Sequence, residues 1–263
     1  MARLMTEYLR FRFLFEQMVR RELRQKYQGS ALGLAWYVVN PLVLMGAYYF
    51  MFGVVLDQTG EPDYPLFLMV GLVVWMFFAQ ALLGAASSLL DQGSLIRKAR
   101  FPRETIPAAV VSVQMVTFCA VLAIVGIVTV AFRGTFGPAL LLLPVVLGAV
   151  YAFTLGLALV VSVTHAYFRD VAPILNAALL PWFFLSPIFF RPERIAADKP
   201  AARFVLTWVN PMAPFIEGVR AILYGGAAPS AATLAYVVVA AALALAAGRA
   251  IFGRLQGELA VVV

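Results

Sequence analysis

Charged residues fall in clusters along this chain, and the intervals between them are long and apolar. Six intervals carry no Asp, Glu, Lys or Arg: 27–56, 64–90, 105–132, 134–168, 171–190 and 221–248. Each holds at least 20 residues, and a helix needs about 20 to cross a bilayer. Backbone groups in lipid must be paired internally, and barrel-type alternation is absent, so the pattern predicts helices. A seventh uncharged run, 204–216, has 13 residues. It is too short to span and suits an interfacial or re-entrant segment. The expected fold is a single all-α integral membrane domain over 1–263. Its six transmembrane helices lie near 34–56, 66–90, 105–132, 138–164, 171–190 and 231–250.

Composition strengthens this reading. The chain is 63% hydrophobic and 13% charged, with a mean hydropathy of +0.91; a soluble domain carries about 25% charge. The net charge of +7 invites a nucleic-acid reading, but the cations sit between apolar runs, so nucleic acid is not expected as a partner. Six spans put both termini on one side. The loops of that side, 1–33, 91–104, 165–170 and 249–263, hold fourteen Lys and Arg, and the opposite loops hold six. The positive-inside rule then makes the termini cytoplasmic and 191–220 the one sizeable outer loop. The first 26 residues lack a continuous apolar core, so no cleavable signal peptide is evident. The single cysteine, Cys119, excludes an internal disulfide, and its apolar surroundings predict buried filler.

Two stretches of the basic side stand out. Over 8–26, Phe11, Phe15, Met18, Val19 and Leu23 gather on one side of a helical wheel, with Arg10, Gln17, Arg20, Arg21 and Arg24 opposite. Glu22 breaks the pattern. This predicts an amphipathic interface helix before the first span. The second stretch, 91–104, reads DQGSLIRKARFPRE, a short polar turn with four cations. Each stretch alone is a charge signal for topology; two on one face suit a partner.

No motif for chemistry is present. There is no G-x-x-x-x-G-K-[ST], no H-E-x-x-H and no G-x-S-x-G, so the chain is not expected to be an enzyme or to bind ATP through a P-loop. The lone histidine, His165, is expected as a snorkelling polar end of the fourth span. The span interiors hold no ionisable group, which weighs against ion-coupled transport. Energy for movement of a solute would come from another chain. Aromatics concentrate in YYFMF (48–52), WMFF (75–78) and WFFLSPIFF (182–190). They read either as an interfacial belt or as flat faces along which sugars slide. Pro173, Pro181 and Pro187 predict a kinked or broken fifth helix.

RELRQKYQGSALGLAWYVVNPLVLMGAYYFMFGVVL (21–56), LIRKARFPRETIPAA (95–109), YFRDV (167–171), FFLSPIFF (183–190) and NPMAPFIEGVRAILY (210–224) together resemble the ABC-2-type polysaccharide exporter permeases, which serve O-antigen, teichoic-acid and capsule export. The resemblance covers the chain in order and lies closer to the O-antigen and teichoic-acid branch. It implies a homodimer of six-helix subunits in the plasma (inner) membrane. It implies two copies of a separate ABC ATPase subunit, which would hold ATP and Mg. It also implies a lipid-linked glycan moved outward, and short gate helices within 191–220. On this resemblance Arg20, Arg21, Arg24, Arg97, Lys98 and Arg100 are expected to dock the ATPase, and Arg24 and Lys26 to meet a pyrophosphate. Tyr48, Tyr49, Phe52, Trp182, Phe183 and Phe189 are expected to line a channel at the dimer centre. The competing readings are an ABC-2 permease for a drug or lipid, and an ATPase-independent polyprenol-handling membrane protein.

Overall fold

A computed structural model of the chain describes residues 15–22, 35–55, 61–98, 101–195 and 199–259. Among these residues there are helices and turns and no strand. Arg24, Lys26 and Arg100, and Phe11, Leu23 and Arg10 of the expected interface helix, lie outside the described residues.

The helices, in chain order, are α1 (15–22), α2 (Trp36–Tyr48), α3 (Tyr64–Asp91), α4 (Gly93–Lys98), α5 (Thr105–Arg133), α6 (Leu143–Tyr167), α7 (Val171–Leu185), α8 (Pro200–Phe204), α9 (Met212–Leu223) and α10 (Ala231–Leu255). A wider π-helical stretch, Tyr49–Val55, prolongs α2, and another, Val205–Val209, prolongs α8. Among the described residues, four helical stretches are long and apolar enough to cross a membrane: Tyr64–Asp91, Thr105–Arg133, Pro138–Tyr167 and Ala231–Leu255. They fall on the expected second, third, fourth and sixth spans. Two shorter apolar helices, Val39–Val55 and Val171–Leu185, fall on the expected first and fifth.

Local signals explain where these helices stop. Gly134 closes α5 in the left-handed region at φ 65°, where a side chain would clash. Pro138 opens the turn into α6. Ser230 caps α10, its hydroxyl accepting the backbone N–H of Thr233 at 3.1 Å, a standard N-cap bond. α7 stops at Leu185, five residues short of its uncharged run, because the chain turns at Ser186–Pro187. At about 1.5 Å per residue its 15 residues reach roughly 22 Å, less than the ~30 Å hydrocarbon layer.

α3 is the central post. It packs against α2, α5, α6, α7 and α9 and is the most enclosed of the four long helices, while α10 is the least. α10 lies along α6, and small residues set their separation. A β-carbon on Gly156 would fall 2.3 Å from the carbonyl oxygen of Ala244, and one on Gly248 would fall 2.2 Å from that of Gly156. Close backbone approach through glycine is how membrane helices gain van der Waals contact when lipid offers no hydrophobic drive.

Two expectations need correction. Cys119 is exposed, on the side of α5 that the rest of the chain leaves uncovered; an apolar run in a membrane protein faces lipid as readily as core. His165 is buried at 7% exposure. Its Nδ1 accepts the backbone N–H of Ala172 at 3.2 Å, so it satisfies one of the free donors at the start of α7 and is no snorkelling end.

Candidate functional site

The ends of the long helices define two faces of the bundle. One, the basic end, carries α1, α4 and the ends of α6 and α10. On α1, Glu16, Gln17, Arg20 and Arg21 are exposed while Phe15, Met18, Val19 and Glu22 are partly covered, the amphipathic division that the sequence predicts. Arg20 pairs with Glu16 at 2.6 Å on the surface, a contact worth under about 1 kcal/mol. Arg21 donates to Gln92 Oε1 at 3.3 Å and so ties α1 to the α3–α4 junction. On α4, Gly93 and Ile96 are buried and Arg97 and Lys98 exposed. The structure therefore brings Arg20, Arg21, Arg97 and Lys98 to one face. Between α1, α3 and α5 lies a cavity of about 380 Å³ lined in part by Met18, Glu22, Ser87, Asp91, Gln92 and Gln114.

A separate hydrophobic cluster underlies this face. It gathers Leu89 of α3, Ile96 of α4, Ile106 of α5, Leu159 and Val163 of α6, and Phe252 and Leu259 at the end of α10, with Met18 of α1 packed against it. Two side chains close it. Arg103 donates to the carbonyl of Gln256, and the Tyr167 hydroxyl donates to the carbonyl of Leu255 at 2.5 Å.

The six aromatics assigned to the path sit towards the opposite end, and most pack on one another. Tyr48 lies 5.5 Å from Phe183 and 5.0 Å from Phe189, and Phe52 lies 4.7 Å from Phe189, ring centre to ring centre. Trp182 stands edge-on to Trp75 and Phe78, and its Nε1 donates to Asn210 Oδ1 at 2.8 Å. Phe183 and Phe189 are 6% and 8% exposed. Tyr48, Phe52 and Trp182 are partly covered, and Tyr49 faces outward at 38%.

Beneath the aromatics is the turn that ends α7, and side chains from elsewhere satisfy its carbonyls. Asn210 Nδ2 donates to Leu185 at 3.0 Å, Arg220 to Pro187 at 2.7 Å and to Ile188 at 3.1 Å, and the Tyr64 hydroxyl to Phe189 at 3.0 Å. Unpaired carbonyls in lipid cost several kcal/mol each, so these donors permit a helix to break here. Arg220 is 1% exposed, pairs with Glu217, and holds its guanidinium 3.7 Å from the centre of the Phe67 ring. Burial pushes the Glu217 carboxyl up from its ordinary value, against the pull of Arg220. The end of α9 is capped in turn. Arg133 Nε donates to Tyr224 and Thr135 Oγ1 to Leu223, both at 2.8 Å, and Arg133 also holds Asp63 at 2.9 Å.

Sequence reasoning missed Arg220, Asn210, Arg103 and Tyr167 as positioned groups. The spacing of Glu217 and Arg220, three residues apart in an otherwise apolar helix, carried the signal for a buried pair.

Residues 14–224 match the ABC-2 type transporter family. The chain is 32% identical over 260 residues to the O-antigen export system permease protein RfbA of Myxococcus xanthus, covering 99% of each chain. A protein of the same name from Klebsiella pneumoniae is 28% identical over 211 residues, which is 74% of this chain and 80% of that one. The apolar helices, the match across most of the chain and the full-length relative agree: this multi-pass membrane protein belongs to the ABC-2 type transporter family.

Proposed function

We propose that this chain is the permease subunit of an ATP-driven exporter that moves a lipid-linked polysaccharide of the O-antigen type outward across the plasma membrane. The observation that carries the reading is the 32% identity, over 99% of both chains, to an O-antigen export permease. Two copies form a homodimer and bind two copies of an ABC ATPase, which holds ATP and Mg. The basic end is cytoplasmic, with both termini, in keeping with the fourteen-to-six division of cations. Arg20, Arg21, Arg97 and Lys98, with Arg24 and Arg100, dock the ATPase, and Arg24 and Lys26 meet the pyrophosphate. The short helix Val39–Val55, and Val171–Leu185 continued by the turn at 186–190, complete six crossings, and α8 and α9 are the gate helices at the outer mouth.

The path uses the aromatics. A long neutral polymer needs many weak, similar contacts, since one strong site would stall it. Flat faces contribute about 0.5–1.5 kcal/mol each. Tyr49 is the most exposed of the six, Tyr48 and Phe52 present part of their rings, and Trp182, Phe183 and Phe189 support them from behind.

Expression with its ATPase in cells that make the glycan but lack their own exporter tests the reading. Glycan is expected at the surface, and Tyr48→Ala with Phe52→Ala is expected to slow export of long chains while the complex stays assembled. An assembled, ATP-hydrolysing complex that delivers no glycan overturns the assignment. Orientation is read with single cysteines at Ser94 and Ala202 in a Cys119→Ala background. An impermeant thiol reagent on intact cells should label only Ala202→Cys, and labelling of Ser94→Cys alone reverses the topology.

A further inference from the structure

The basic end holds a link that neither the export reading nor the family match accounts for. We propose that the turn after α10, residues 256–259, couples the ATPase-docking face to the α6–α10 pair, with Arg103 and Tyr167 as its positioning residues. The proposal rests on the reading above, in which the ATPase docks on that face.

The argument begins with the carbonyls. The last carbonyls of a helix have no partner within it, and a cation near them is favoured by the helix dipole. At the end of α10, Tyr167 takes Leu255 and Arg103 takes Gln256. Tyr167 ends α6, and Arg103 lies in the connection from α4 to α5. Three segments distant in sequence therefore meet at one turn. Leu259, fully buried, plugs the turn into the cluster that also receives Ile96 of α4.

Geometry then sets what moves with what. α4 has six residues, exposing Arg97 and Lys98 and burying Ile96. A displacement applied to the cations is passed through Ile96 to the cluster, because close-packed side chains transmit strain. α10 cannot slide freely on α6, since Gly156 and Gly248 bring the two backbones into direct contact. A pull on the turn is therefore a pull on both helices. Without the two hydrogen bonds, α4 could follow the ATPase while α6 and α10 stayed behind. The family match ends at residue 224, so the α10 side of this link lies beyond it.

The test uses the full chain, assembled with its ATPase in liposomes, carrying Arg103→Ala with Tyr167→Phe. The phenylalanine keeps the ring and removes only the hydroxyl. ATP hydrolysis is expected to persist while glycan exported per ATP falls about tenfold, within the range of coupling between distinct sites. Restoring Tyr167 in an Arg103→Lys variant should recover most of the loss. An unchanged export-to-hydrolysis ratio overturns the link. So does parallel loss of ATPase binding and export, which would make the turn a folding or docking element. A second measurement needs no glycan: spin labels at Ser94→Cys and Gly253→Cys, in a Cys119→Ala background, report the α4–α10 distance with and without ATP. The distance should stay fixed on ATP addition in the parent and change in the double variant. Identical behaviour in both overturns the link. Failure of the parent to export glycan while its label distances behave as stated counts against the export reading alone.

Discussion

A β-carbon on Gly71 would stand 2.4 Å from Nη2 of Arg220. The central helix is notched at that position, and the notch is filled by a charged group from a helix made much later. Arg220 cannot retreat, because its guanidinium is held by the carbonyls of Pro187 and Ile188 and by Glu217.

Gly71→Ala is therefore expected to destabilise the protein. Overpacking costs about 1–3 kcal/mol, while alanine in a helix otherwise gains about 1 kcal/mol over glycine. Gly46, with open space around it, isolates the second effect. The thermal midpoint in detergent should fall for Gly71→Ala and hold or rise for Gly46→Ala. Equal midpoints would mean that the guanidinium is not fixed in the notch.

Arg220→Met removes a buried cation and leaves Glu217 and two carbonyls without their donor. Breaking a buried pair costs about 3–5 kcal/mol; with the Glu217 side chain 24% exposed, the lower end applies. Adding Glu217→Gln should cost less than the sum of the single changes, as expected for residues in contact. Additive losses in a double-mutant cycle of denaturant midpoints would show that the two act independently.

The α6–α10 contact makes a sharper contrast within one helix. Gly156→Ala forces two backbones apart, whereas Gly148 has nothing within 4 Å. The first is expected to cost about 1–3 kcal/mol or more, and the second to be neutral or stabilising. Protease sensitivity at the α10 end should rise only with Gly156→Ala. A cleavage pattern shared by both variants would remove the glycine argument.

Trp182→Phe keeps a ring against Trp75 and Phe78 but loses the hydrogen bond to Asn210, worth about 1 kcal/mol. Asn210→Ala should cost more. Its side chain also donates to Leu185 and Ser186 and accepts from the N–H of Met212. Ranking the two thermal midpoints tests this, and the reverse order would mean that Asn210 does not hold the turn together.

The spans were legible because a long uncharged run without barrel-type alternation can sit in lipid only as a helix. α3, α5, α6 and α10 follow from that rule with small differences at their ends. A break in the fifth helix was legible from Pro187, which stands at the turn, but its place was not: Pro173 and Pro181 are equal candidates, and α7 runs through Pro181 to Leu185. Donors supplied by Tyr64, Asn210 and Arg220 permit the break, and no local pattern announces donors from other helices. Cys119 shows the same limit: lipid and core are both apolar, so hydropathy does not report which side of α5 is covered. The exposed cations of α1 and α4 were readable from charge. Arg103 was counted with them, but its bond to Gln256 depends on a fold that brings the end of α10 to its side.

The notch at Gly71 also bears on the order of assembly. α3 is made early, yet its enclosing helices α5, α6 and α9 follow it from the ribosome. Its apolar surface can wait in lipid without loss. Arg220 cannot, because a lone guanidinium in hydrocarbon is costly until the Phe67 face, the Pro187 and Ile188 carbonyls and the space at Gly71 are all in place. The seat of α9 therefore depends on the alignment of α3 and α7: a bundle in which these are displaced offers the arginine neither its carbonyls nor its notch.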